Sequence, residues 1–217
     1  MLTVGLTGGI ACGKSAVGEM FVKLGAHLIE ADAIAHWLME PGRPVYDEVV
    51  RRFGAGILNP DGTISRPKLA EAAFGTAAAQ NAGGSAARTA PRVKELNAIV
   101  HPAVIAHENE WMKEIEARDP ETIAIVEAAL ILEAGTADRF DYLIVVTCHP
   151  EQRIERFARR LGISEEAARA EVMRRMAVQI PDEEKIKAAD FVIDNSGSKD
   201  ASEEQVRQVF EALKNKC

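Results

Sequence analysis

Residues 8 to 15 read Gly8-Gly9-Ile10-Ala11-Cys12-Gly13-Lys14-Ser15, a match to G-x-x-x-x-G-K-[ST]. They stand between an apolar run at residues 2–6 and a helix-compatible stretch, AVGEMFVKL. No other feature of the chain constrains its fold so tightly. Typical residue frequencies put such a match in roughly one random chain per hundred, and the strand and helix patterns around it lower that further. The glycines let the backbone turn sharply and aim its N–H groups inward. With the helix N-terminus behind them, those groups make a cradle for phosphate oxygens. On this reading the Lys14 amino group bridges the β- and γ-phosphates of a nucleoside triphosphate and the Ser15 hydroxyl ligates Mg²⁺. The plain alternative is a glycine-rich turn with Ser15 near a helix cap.

Beyond the loop, short β-branched apolar runs alternate with longer helical patterns, which predicts an α/β fold with a parallel sheet wrapped by helices. Five strands are expected, at residues 2–6, 26–29, 122–126, 142–147 and 191–193. The third and fourth (IAIV, YLIVV) are continuous apolar runs, as in strands covered on both faces. Helices are expected over residues 34–39, 44–53, 67–74, 93–117, 150–176 and 202–214. The strand-free interval between the second and third strands is too long for one crossover helix and predicts a helical insertion. Residues 75–90 (GTAAAQNAGGSAARTA) are nearly chargeless and can bury little, so they read as a mobile loop.

Lys and Arg number 26 against 33 Asp and Glu, a formal charge of -7. This acidic balance argues against general binding to nucleic-acid backbone or anionic membrane, both of which need a basic face. No run approaches the ~20 apolar residues of a membrane span, and the glycine-broken, uncharged start does not read as a signal peptide. The cysteines, Cys12, Cys148 and Cys217, lie far apart without a C-x-x-C pair. They suggest neither disulfides nor a zinc knuckle, and a cytoplasmic setting fits. Cys12 sits near a helix N-terminus that would lower its thiol pKa, so redox sensitivity stands beside the reading of a small tolerated residue.

Other residues must choose among hydrolase, GTPase switch and small-molecule kinase. The guanine-reading N-K-x-D is absent, since Asn195-Ser196-Gly197-Ser198-Lys199-Asp200 has the wrong spacing. Asp32 follows the second strand, where ligands of a doubly wound sheet collect. It is a candidate base for an attacking hydroxyl, with an ordinary helix N-cap as the alternative. Glu127, closing the third strand, is either a magnesium-holding acid or a structural carboxylate. Arg153, Arg156 and Arg160 share one helical face, as in lids that close over a triphosphate, or else form a solvated face paired with nearby glutamates.

Six blocks together resemble the dephospho-CoA kinase family: LTGGIACGKS, IEADAIAHWLMEPG, DGTISRPKLAEAAF, LNAIVHPAV, EAALILEAG and QIPDEEKIKAADFVIDNSGS. The resemblance implies a P-loop kinase fold with a five-stranded parallel sheet. It places a nucleotide core at about residues 1–31, 120–149 and 188–217, a helical CoA-binding insertion at about 32–119 and a lid at about 150–187. It implies ATP-dependent phosphorylation of the ribose 3′-hydroxyl of the small molecule dephospho-CoA, the last step of coenzyme A synthesis. MgATP would lie on residues 8 to 16, including Gly8, Gly9, Ala11, Cys12, Gly13, Lys14, Ser15 and Ala16, with Ser15 and Glu127 toward the metal. The family's catalytic aspartate falls on Asp32, its lid arginines on Arg156 and Arg160, and its H-P pair on His101-Pro102. For that pair a substrate-side role competes with simple helix initiation by Pro102. Asn195 and Gly197 fall where the family places the adenine.

Four positions depart from the family pattern. Glu30 replaces the first acid of D-A-D, His36 stands where arginine is usual, Ala16 stands where threonine is common, and residues 75–90 lengthen the CoA-domain connection. The His36 change could make substrate binding pH-dependent. The rival readings are a P-loop kinase for a nucleoside monophosphate or sugar-like alcohol, and an ATP-binding regulatory module with no acceptor.

Overall fold

The computed structural model describes residues 1–74, 92–177 and 179–216. The loop expected at 75–90 lies outside the described residues. Five strands, β1 (Leu2–Gly8), β2 (His27–Glu30), β3 (Ile123–Glu127), β4 (Tyr142–Thr147) and β5 (Phe191–Asp194), form one parallel sheet in the order β2-β3-β1-β4-β5. The phosphate-loop strand is therefore central. Its register pairs Leu6 with both Glu127 and Ile144. Each expected strand forms, within one or two residues of its expected ends.

The apolar runs of β3 and β4 are buried on both faces because side chains alternate across the sheet. Ile144 and Val146 pack with Phe21 and Val17 of α1 (Lys14–Lys23) and with Phe210 and Leu213 of the C-terminal helix Lys199–Lys214. Leu143 and Val145 turn the other way, onto Ile131 and Phe140. The helical block expected at 150–176 consists of two helices, Pro150–Leu161 and Glu165–Met176. Ser164 caps the second by accepting the Ala167 N–H, a cap that the continuous apolar-polar pattern concealed. A short helix, Asp182–Ala188, which the sequence reading missed, precedes β5.

The chain divides into two compact units. The first, Met1–Glu30 with Trp111–Cys217, carries the sheet, the loop and the helices after β4. The second, Ala31–Glu110, is helical: α2 (Ala31–Leu38), α3 (Pro44–Phe53), α4 (Arg66–Phe74) and most of α5 (Val93–Arg118). Its interior includes Val45, Val49, Ile57, Leu69 and Val100, and Glu95 is held by both Arg52 and Arg92. Pro102 lies inside α5, so it does not initiate a helix. It costs the Ala98 carbonyl its partner four residues on. The remaining helices are α6 (Pro150–Leu161), α7 (Glu165–Met176), α8 (Asp182–Ala188) and α9 (Lys199–Lys214). Among the described residues no helix is long and apolar enough to cross a membrane.

Candidate active site

The loop between β1 and α1 is held in a conformation its residue types alone permit. Gly13 has φ 93°, in the left-handed region, and a Cβ there would stand 2.2 Å from Asn195 Nδ2. A Cβ on Gly8 would stand 2.2 Å from the Val146 carbonyl oxygen. Ala11, at φ 54°, is the non-glycine residue with positive φ among those described. A left-handed alanine costs on the order of 1 kcal/mol and persists where the surroundings over-determine it. Here the surroundings are visible: Ile10 and Ala11 pack into the apolar cluster of Ile154, Phe157, Ala158, Ala168 and Val172 between α6 and α7.

Lys14 Nζ donates to the carbonyls of Gly8 at 3.3 Å and Gly9 at 3.4 Å, folding back along the loop. Ser15 does not cap α1, whose start at Gly13 has no side-chain cap. Its Oγ instead donates to Glu127 Oε1 at 2.9 Å. The end of β3 thereby brings a buried carboxylate to the first turn of α1, 112 residues away in the chain. Two hard oxygen donors side by side suit a divalent ion that retains waters and shares phosphate oxygens.

Arg156 and Asn195 converge on the loop from opposite parts of the sequence. Arg156 Nη1 donates to the Cys12 carbonyl at 3.2 Å and Nη2 to the Asn195 carbonyl at 2.8 Å. The Asn195 side-chain amide donates to the same Cys12 carbonyl at 2.9 Å, while its oxygen accepts the Ser202 hydroxyl at 2.8 Å. Gly197 follows in this β5–α9 turn, where a Cβ would stand 3.4 Å from Ala201 Cβ. The three arginines expected on one helical face separate in the structure. Arg156 reaches the loop, Arg160 is exposed over the Phe157 ring at 5.3 Å, and Arg153 is buried against Asp182.

Cys12 corrects an expectation. Its thiol is fully buried beneath the loop, and burial pushes its pKa up, with Lys14 only partly opposing. Being near a helix N-terminus does not expose it, so the thiolate is disfavoured. Cys148 is likewise buried and its thiol raised by burial. Both are free cysteines.

In the second unit, Asp32 lies within the first turn of α2, not at its cap. There a carboxylate also favours the helix dipole. One turn on, His36 Nδ1 meets the Arg66 guanidinium. Burial and then Arg66 lower the His36 pKa, against an opposing pull from Asp32. The imidazole is therefore the neutral acceptor of an arginine hydrogen bond. Trp37 packs tilted against His107, ring centroids 5.0 Å apart, with Arg43 over its ring at 3.2 Å. His101 is half-buried on α5. Among the described residues no cluster of three His, Cys, Asp or Glu groups could hold a metal by protein ligands alone.

A central parallel strand that opens into a glycine cradle, a lysine and a hydroxyl on the following helix with a carboxylate from the end of β3 beside them, and arginine-bearing helices after β4 define a P-loop kinase. A sequence model of dephospho-CoA kinase matches residues 2–201. A dephospho-CoA kinase of Aquifex aeolicus is 40% identical over 98% of both chains, and one of Corynebacterium jeikeium is 38% identical over 95% of this chain and 96% of that one. Among solved structures, TT1252 from Thermus thermophilus superposes with a TM-score of 0.76 at 28% identity, covering 98% of this chain and 97% of that one. A dephospho-CoA kinase from Campylobacter jejuni superposes at 0.65 and 26% identity with the same coverage. The chain belongs to the dephospho-CoA kinase family.

Proposed function

We propose that this chain transfers the γ-phosphoryl group of ATP to the ribose 3′-hydroxyl of dephospho-CoA, giving coenzyme A and ADP. The observation that carries the reading is the family match over residues 2–201, which takes in the second unit as well as the phosphate loop. The substrate is then a small molecule in a cytoplasmic setting, with no part for nucleic acid or membrane.

The loop binds the triphosphate through its backbone N–H groups, and Lys14 swings from the Gly8 and Gly9 carbonyls onto the β- and γ-phosphates. Ser15 and Glu127 would hold magnesium, which when bound neutralises phosphate charge. Asp32 orients the acceptor hydroxyl and takes its proton. The hydroxyl oxygen bonds to the γ-phosphorus as the bond to the β–γ bridging oxygen breaks, and that electron pair leaves with ADP. Position supports Asp32, which stands two residues beyond Glu30, the strand partner of Glu127. Arg156 steadies the loop and Arg160 supplies charge from the lid face of α6. Residues 32–119 form the acceptor-binding domain, with His101 and the His36–Arg66 pair on its substrate side, and residues 150–187 form the lid. Asn195 and Gly197 border the adenine.

Coupled ADP release with MgATP, comparing dephospho-CoA with nucleoside monophosphates, shikimate and water, tests the acceptor. Product mass should rise by one phosphate on dephospho-CoA alone. Transfer to another acceptor, or ATP binding with none, would refute the assignment. Asp32→Asn should lose roughly 10²- to 10⁴-fold in kcat with ATP affinity kept, and full activity would remove Asp32 from the role.

A further inference from the structure

Gly9 occupies an x position of the G-x-x-x-x-G-K-[ST] pattern, so phosphate binding as such does not demand glycine there. Its φ does not demand one either, since Gly9 is absent from the positive-φ glycines. The reason lies behind the loop. A Cβ on Gly9 would stand 2.2 Å from Arg153 Nη1 and 2.9 Å from its Cζ. The guanidinium of α6 fills the space a side chain would take.

Arg153 is held there by an unusual set of partners for a helical arginine. It is 1% exposed, among the largest fully buried side chains of the described residues. Its Nε and Nη2 each donate to the Cys148 carbonyl at 3.3 Å, just past the end of β4, and its guanidinium pairs with Asp182 on the first residue of α8. Burial opposes the charge, and Asp182 more than offsets this, so the arginine stays ionised. Asp182 is itself anchored. One turn along α8 the fully buried Lys185 pairs with Glu133 at 2.8 Å, and Glu133 also accepts the Ile180 N–H at 3.1 Å.

What rests on Gly9 matters to the loop. Its carbonyl accepts the Cys12 N–H at 3.4 Å, closing the turn, and the Lys14 amino group at 3.4 Å. From this geometry we infer that Arg153, countered by Asp182, is a positioning residue for ATP binding: a buried buttress that sets the Gly9 backbone and, through it, the phosphate loop and Lys14. Because Asp182 neutralises it at contact, its contribution is shape, not long-range charge. The inference rests on reading the loop as the ATP site.

The experiment is ATP affinity by calorimetry, with steady-state kinetics, on the full chain. Arg153→Met keeps the bulk and loses the fork, and should weaken ATP binding and raise KM for ATP roughly tenfold or more. KM for dephospho-CoA should stay near wild type, because the acceptor does not rest on the Gly9 backbone. Asp182→Asn, a milder lesion in case Arg153→Met fails to fold, should shift ATP affinity in the same direction. Gly9→Ala should weaken ATP binding in the wild-type background but cost nothing further on top of Arg153→Ala, because the clashing group is gone. Equal Gly9→Ala costs in both backgrounds, or variants that lose thermal stability while KM for ATP stays unchanged, would reduce Arg153 to a structural residue and overturn the inference. Wild-type protein that binds no ATP would sink the loop reading and the inference with it, whereas wild-type binding with unaffected variants sinks the inference alone.

Discussion

Arg156→Met separates two roles that the family pattern merges. If the arginine only met phosphate, removing it would leave the nucleotide-free protein as stable as before. The structure instead ties the guanidinium to two backbone carbonyls, Cys12 at 3.2 Å and Asn195 at 2.8 Å. Hydrogen bonds from an ionised donor contribute ~1.5–3 kcal/mol each. The site is partly exposed, so water replaces part of what is lost, and the Cys12 carbonyl keeps the Asn195 amide at 2.9 Å. A net cost of about 2–3 kcal/mol remains for the pair. For a chain of this size each kcal/mol moves Tm by roughly 2–4 °C, so Arg156→Met should melt about 4–12 °C below wild type without nucleotide. ATP affinity should fall as well, by roughly thirty- to a hundred-and-fiftyfold if that loss is expressed in the loop. Arg156→Lys keeps the charge without the fork and should recover less than half of the melting loss. Thermal melts with and without MgATP give both quantities. A nucleotide-free Tm within about 1 °C of wild type would refute the argument that Arg156 braces the loop.

Cys12, buried and with its thiol pKa raised, should resist maleimide at pH 7.5 equally with and without MgATP, as read by peptide mass. Rapid labelling that nucleotide blocks would contradict its placement. Hydrogen bonding from Arg174 is the largest influence on Glu171; burial opposes it, Arg175 adds to it, and the carboxyl is held at about 2. A depressed carboxylate stabilises above its ordinary value near 4.5 and loses that contribution as pH falls toward 2. Both arginines are about half exposed, so Glu171→Gln should cost only ~1 kcal/mol at pH 7. The Tm gap should narrow between pH 4.5 and 2, and an unchanged gap would show that the ion pairs carry none of it.

The chain's local grammar was sufficient for much of this molecule. Uninterrupted β-branched apolar runs such as YLIVV read as strands covered on both faces, and G-x-x-x-x-G-K-S between strand and helix placed Lys14 and Ser15 where the structure has them. Period and spacing act over a few residues, so they are written in the chain. They left local matters open: the helical block at 150–176 did not mark the break at 162–164, and helical periodicity set Arg153, Arg156 and Arg160 on one face without saying which would be buried. A helix N-terminus suggested a reactive Cys12, but burial, which depends on what covers the loop, pushed its thiol the other way. The pairings that set the site join residues far apart in the chain, Ser15 to Glu127, Asn195 to Cys12, Arg153 to Asp182 and Gly9. The sequence by itself determined the sheet, the loop and the chemistry the loop can hold. Only tertiary structure decided which charged side chains are buried, because burying a charge requires a partner, and the partners come from other elements brought close by packing.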